Sequence, residues 1–335
     1  MKKALLLLIL MNAWACSQAQ QKSQYTQYIL NNILINPAVS GIENYIDAKA
    51  GYRSQWTGLD GAPITTTLTV SAPLGSAFVG GDAASMSGGL DNPYAPAYLQ
   101  NYRAAEPHHG IGLTLVSDQI GYTRTTNADA TYAYHLGLSS KVNLSLGISA
   151  GFNNLSLNAS QILLQEPDDD AIKNIGSGTW QPDLGLGVWV YSSDYYAGFS
   201  ALQLLPQHLS SSINPAYQKG AAPNFFATGG LKLSVSEDVC FVPSVLIKMI
   251  NPLPVAADLN AKMIFGNRFW VGCSYRYQDA VAGMFGLNIS SLINVSYAYD
   301  YSTSALRSVN ANTHEIVIGL MLNNRDRVIC PQHSF

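Results

Sequence analysis

Charged residues are scarce in this chain: Asp, Glu, Lys and Arg make up 12% of its 335 residues. That is roughly half the share usual in globular proteins, and a water-soluble enzyme of this size would expose more charge. Past the N-terminal stretch, no apolar run approaches the length of about 18 residues that a membrane helix needs, which excludes helical membrane proteins. There is no basic block, and a formal net charge of -3 gives nucleic acid no electrostatic footing. Cysteine numbers four. With Cys16 inside the leader, the remaining Cys240, Cys273 and Cys330 form neither a disulfide framework nor a zinc-ligand pattern.

Constellations that carry chemistry are missing too. No Gly-x-Ser-x-Gly nucleophile elbow occurs. Asp168-Asp169-Asp170 lacks the alternate spacing and central glycine of a calcium loop, and reads as an exposed acidic loop. His108-His109 falls in a long irregular stretch, where adjacent histidines lack the one-face geometry of a metal pair and read as solvated. His135 lies on an inward edge without a nucleophile beside it, and reads as a packed, hydrogen-bonded histidine. The sequence therefore predicts no enzyme, no metal site and no cofactor.

What is present is an export signal followed by alternation. Lys2 and Lys3, the apolar run Ala4 to Met11, and Ser17-Gln18-Ala19 have the order of a secretory leader over 1–19, so that Gln20 opens the mature chain. A second reading takes Ala13-Trp14-Ala15-Cys16 as a lipidation box, to which Ala13 and Trp14 are a poor match. Downstream, Val142, Leu144, Leu146, Ile148, Ala150 and Phe152 alternate with Asn143, Ser145, Gly147, Ser149 and Gly151. The same pattern sets Ile64, Leu68 and Val70 against Thr65, Thr67 and Thr69, and Leu259, Ala261 and Met263 against Asp258, Asn260 and Lys262. Period two puts one set on each face of a strand.

About fourteen such segments of roughly eight to twelve residues match the strand length and even strand number of bacterial outer-membrane barrels. They centre near residues 50, 68, 114, 131, 147, 187, 198, 230, 245, 260, 273, 285, 297 and 318. The predicted fold is all-β: a transmembrane antiparallel outer-membrane β-barrel over 45–323, with a periplasmic or lumen segment over 20–44 and a tail over 324–335. A soluble antiparallel sandwich also alternates, but its polar face would carry charge rather than Gly, Ser, Thr and Asn.

Long connections are expected near 75–110, 161–182 and 203–223. With both termini periplasmic, the last two face outward, and the first falls on the side where turns are normally short. Tyr45, Tyr52, Trp56, Tyr122, Tyr191, Tyr195, Tyr196, Trp270, Tyr275 and Tyr277 gather near segment ends, the placement of interfacial girdles. Asp47, Lys49, Arg53, Asp258, Lys262 and Arg276 occupy polar faces. Facing lipid near the midplane, a basic side chain would cost about 2–4 kcal/mol, so these groups are expected inside as paired charges.

Four landmarks follow one another along the chain. Gln27-Tyr28 precedes Ile35-Asn36-Pro37-Ala38-Val39-Ser40-Gly41. Next comes Tyr52-Arg53-Ser54-Gln55-Trp56-Thr57-Gly58-Leu59-Asp60-Gly61-Ala62-Pro63, and in the middle Tyr196-Ala197-Gly198-Phe199-Ser200. Tyr297-Ala298-Tyr299-Asp300, Thr313-His314-Glu315-Ile316 and Cys330-Pro331 close the series. In this order they resemble the PorP/SprF family of type IX secretion membrane proteins.

Physical reasons accompany several of these residues. Asn36-Pro37 fixes an extended approach and a turn, Asp60-Gly61 is a hairpin tip, and Trp56 stands at an interface end. Arg53 and Asp300 lie on inner faces, where they can form a lumen pair. His314 and Glu315 open the last strand and point to opposite faces.

The resemblance implies the bacterial cell outer membrane and a part in type IX secretion or gliding motility, by assisting export or surface attachment of a secreted protein. The implied partners are a secreted substrate with an adhesin-like C-terminal domain, periplasmic type IX components, and outer-membrane lipid. The alternative is a passive porin or small-molecule channel, which the polar inner faces permit.

Overall fold

The computed structural model describes residues 26–75, 102–157, 179–205, 223–250, 254–266, 268–277, 279–303 and 312–324. The leader with Cys16, the Asp168-Asp169-Asp170 run, most of the first long connection and the tail with Cys330 lie outside these residues.

The period-two segments form β1 (Ile46–Ser54), β2 (Ile64–Leu74), β3 (His108–Ile120), β4 (Thr123–Gly137), β5 (Asn143–Leu157), β6 (Thr179–Tyr191), β7 (Tyr195–Leu202) and β8 (Asn224–Leu231). They continue as β9 (Leu233–Ser234), β10 (Val239–Ile250), β11 (Ala256–Phe265), β12 (Phe269–Arg276), β13 (Ala280–Asn288), β14 (Ile293–Ser302) and β15 (Thr313–Leu322). The two-residue β9 keeps the register of β8 against β10, so it prolongs β8 past Lys232. Fourteen strands of eight residues or more thus form the wall among the described residues, as expected.

Neighbouring strands pair antiparallel, and β15 returns to β1 with Arg53 opposite Glu315. Pairing of β10 with β11 completes a closed barrel. Closure is what lipid demands, because an open edge would leave backbone groups without partners.

The faces are inverted relative to a soluble protein. Phe152 and Leu259 are each 55% exposed on the outside, whereas Ser145 and Asp258 are fully buried on the inside. Thr65, Thr67 and Thr69 also face inward, while Leu68 faces out. A fold that shows Leu, Ile and Phe outward and hides Ser, Thr, Asn and charge is stable only in lipid. No helix among the described residues is long and apolar enough to cross a membrane; the strands do so.

The structure corrects two expectations. β3 starts at His108 and β6 at Thr179, inside stretches read as connections. His108-His109-Gly110 and Gln181-Pro182 offer no polar-apolar contrast, so alternation there is invisible in the sequence. The aromatics read as interfacial also divide. Tyr52, Tyr122, Tyr195, Tyr275 and Tyr277 are exposed on the outer wall, but Tyr45, Tyr191 and Tyr196 are buried inside, and Trp270 packs against the interior clusters. An aromatic ring suits a pleated surface on either face. The described part of the N-terminal segment, residues 26–45, lies in the lumen.

Candidate functional site

The lumen is occupied by residues 26–45, which fall almost wholly within the stretch read as a periplasmic or lumen segment. Asn residues, β-branched Ile and Pro37 prevent a regular helix. The segment instead folds as three short 3-10 turns, Gln27–Leu30, Asn32–Leu34 and Pro37–Val39. Asn36 caps the last one, its Oδ1 accepting from the Ala38 amide at 3.0 Å, with Pro37 at the first position where no N–H is needed. Tyr28, Ile29 and Ile35 pack with Leu246, Met284 and Ala298; Ala38 and Ile42 pack with Trp189, Tyr191 and Tyr196. Each fully buried apolar side chain of this kind contributes about 1.5–3 kcal/mol. The segment is therefore the core that an otherwise polar barrel lacks.

At one end of the lumen, Thr26 sits among charges. Its backbone N–H donates to Glu315 at 2.9 Å and its hydroxyl donates to Asp300 at 2.6 Å. The same hydroxyl oxygen accepts from Arg53 at 2.6 Å and from Arg276 at 2.9 Å. Arg53 forks, one nitrogen 2.8 Å from Glu315 and the other 2.8 Å from Asp300. Arg276 pairs with Asp279 at 2.9 Å and lies 3.6–3.7 Å from Asp300 and Asp258; Lys248 completes the set on Asp258 at 2.8 Å. Such a cluster repays its desolvation only while every charge keeps a partner.

At mid-height the wall is shaped to receive the Asn36 turn. The Asn36 amide donates to the backbone carbonyls of Val188, at 3.0 Å, and Phe199, at 3.2 Å. A Cβ at Gly187 would stand 2.0 Å from Asn36 Oδ1, and one at Gly147 would stand 2.3 Å from the Ala38 nitrogen, so both positions must be bare. Ser200 donates to the Ile35 carbonyl, Ser145 donates to the Ala38 carbonyl at 2.6 Å, and Asn260 donates to the Tyr28 hydroxyl at 2.6 Å.

At the far end the segment leaves past two histidines. His135 Nε2 donates to the Ser40 carbonyl at 2.8 Å, while Nδ1 lies 3.0 Å from the Tyr191 hydroxyl. His108 bonds the Gly41 carbonyl at 3.1 Å and stacks on His135, the rings 4.4 Å apart and 2° from parallel. Ser40 and Thr131 hydroxyls meet at 2.6 Å, and the Gly41 amide donates to Ser71 at 2.7 Å. The packed reading of His135 holds, but the solvated reading of His108-His109 is corrected. The pair straddles β3, His108 inward and His109 outward against the Tyr132 hydroxyl at 2.6 Å. Cavities of about 40 and 150 Å³ flank the segment, the larger between Tyr28, Ile35 and Pro37 and the wall residues Phe226, Leu246 and Lys248.

The candidate residues therefore fall into two groups. Arg53, Asp300 and Glu315 are brought together at Thr26, and Asn36 with Pro37 seats the middle turn. Trp56, Asp60, Gly61 and His314 stay apart from the lumen. Asp60 is exposed, Gly61 takes φ 72° and accepts from the Gly121 amide at 2.9 Å, and the Trp56 amide donates to Thr313 at 3.2 Å. His314 faces outward, 2.7 Å from the Tyr297 hydroxyl. Thr26 and Lys248 went unnoticed in the sequence, and Asn260 and Ser200 stood out there only as members of a polar face and of a landmark, since a lone inward polar residue carries no signal of what it bonds. Among the described residues no group of three or more His, Cys, Asp or Glu could hold a metal ion.

No curated protein matches the chain. Solved structures that resemble it include the Acinetobacter baumannii outer membrane protein Omp33, with 9% identity, 84% of this chain and 100% of that chain covered, and a TM-score of 0.46. The CymD monoaromatic hydrocarbon channel shares 12% identity over 87% of this chain and 91% of its own, with a TM-score of 0.46. The Ralstonia pickettii toluene transporter TbuX shares 9% over 86% and 92%, again with a TM-score of 0.46. Likenesses of that size carry no argument about what this chain binds or moves. The family comparison is of another kind: the model described as type IX secretion system membrane protein PorP/SprF matches residues 17–320. With nearly the whole exported chain matched and a closed, lipid-facing barrel around it, this outer-membrane protein belongs to the PorP/SprF family.

Proposed function

We propose that this barrel works as a closed scaffold of the type IX machinery, assisting export or surface attachment of a secreted protein rather than conducting solutes. One observation carries the reading: residues 26–45 occupy the lumen along its length and are hydrogen-bonded to the wall at both ends and in the middle. A barrel filled in this way has its surfaces left to work with. The outward connections near 161–182 and 203–223, or the first long connection on the opposite side, would dock the adhesin-like C-terminal domain of a secreted substrate or a periplasmic type IX subunit.

Crosslinking in cells that carry an active type IX system, followed by identification of the captured proteins, tests the proposal. Recovery of a substrate C-terminal domain or a type IX subunit supports it. Recovery of neither, together with robust single-channel conductance of the purified barrel, would overturn it in favour of a porin.

A further inference from the structure

The segment inside the lumen joins β1 at one end of the barrel, yet its first described residue lies at the other. Gly41 contacts Ser71, near the end of β2, and His108, the first residue of β3. Asn36 is held between β6 and β7. Thr26 is held by Arg53, Arg276, Asp300 and Glu315, which stand within three residues of the opposite ends of β1, β12, β14 and β15. At the 3-10 rise of about 2 Å per residue, this stretch covers roughly 30 Å, enough to cross an apolar band of about 25 Å. The chain from Thr26 to Gly41 thus runs the length of its own barrel, antiparallel to β1.

Connection lengths tell the two ends apart. At the Gly41 end lie the short connections 138–142, 192–194, 235–238, 266–268 and 289–292, with 75–107 as the exception. At the Thr26 end lie the longer 55–63, 158–178, 203–223 and 303–312, together with the short 121–122, 251–255 and 277–279. Outer-membrane barrels keep short turns in the periplasm and longer loops outside, so Thr26 marks the outer end.

We infer that the exported chain carries its N-terminal end through its own barrel, so that the peptide preceding Thr26 is displayed on the outer face of the membrane. Thr26 marks the point of exit, bonded to Arg53 and Asp300 near the ends of β1 and β14. The peptide cannot return to the periplasm inside a lumen already filled, and it cannot return through lipid with its backbone unpaired. Its composition suits the outer face, since Gln20-Gln21-Lys22-Ser23-Gln24-Tyr25 is almost wholly polar.

A thiol accessibility experiment decides the matter, and because it involves no partner its outcome is independent of the scaffold reading. In full-length protein carrying C330S, the variants S23C, D60C and S140C are treated with a membrane-impermeant maleimide in intact and in permeabilised cells. Heat-modifiable gel migration confirms that each barrel is folded, and Q21C replaces S23C if that variant fails to fold. Both D60C, in the 55–63 connection, and S23C are expected to label equally before and after permeabilisation, whereas S140C, in a short turn, labels only after it. Labelling of S23C only in permeabilised cells, or in neither state, overturns the inference. So does labelling of D60C only after permeabilisation, because the barrel would then be oriented the other way.

Discussion

Arg53 concentrates the residue-scale argument. Its two terminal nitrogens serve Thr26, Glu315 and Asp300 at once, at 2.6–2.8 Å. Arg53→Ala leaves two buried carboxylates short of a counter-charge, and losing one partner of a buried ion pair typically costs about 3–5 kcal/mol. The midpoint of heat-modifiable gel migration should fall accordingly. Arg53→Lys should recover only part of the loss, since a point cation cannot span the two carboxylates as the planar fork does. Full recovery by lysine would mean that charge alone matters. The pairing of Arg53 with Asp300 was legible as an expectation, because charges on lipid-exposed strands must point inward and find one another. Thr26 was not, because nothing in Gln24-Tyr25-Thr26-Gln27 distinguishes a residue held by two arginines from any polar linker.

Elements differ in legibility for the same physical reason. Strands announce themselves when their two faces meet different solvents, as in β5, where Leu146, Ile148 and Phe152 face lipid and Ser145 and Ser149 face the lumen. The signal fades where glycine lies on the inner face to admit the lumen segment, as at Gly110 and Gly112 of β3. That is why His108 was misread as part of a loop. The segment itself repeats nothing, because its partners are fourteen different strands rather than one surface. Its role can be tested from the wall: Gly187→Ala places a methyl group into Asn36 Oδ1 and should unseat the middle turn. Deleting 26–41 should go further and leave a hydrated lumen lined by Lys49, Asp258 and Asp300. Single-channel recordings are expected to show low conductance in the unaltered protein, intermittent openings in the glycine variant and sustained current in the deletion. Equal conductance in all three would mean that the segment does not close the barrel.

For the whole molecule, the decisive property is which solvent its outer wall meets, and depth along one strand can measure it. Ile318 and Leu322 share the outward face of β15 and are almost equally exposed, 46% and 45%. Were the wall in water, arginine at either position would be neutral or mildly favourable, and the two variants would behave alike. In a bilayer the positions differ, because Ile318 lies in the middle of a ten-residue strand and Leu322 is its last residue. An arginine near the midplane costs about 2–4 kcal/mol, against about 0–1 kcal/mol near the interface. Guanidinium unfolding in phospholipid vesicles should therefore give a clear drop in midpoint for Ile318→Arg and little change for Leu322→Arg. The contrast depends on depth rather than on exposure, so it follows from the position of the barrel in the membrane and from no property of either side chain alone.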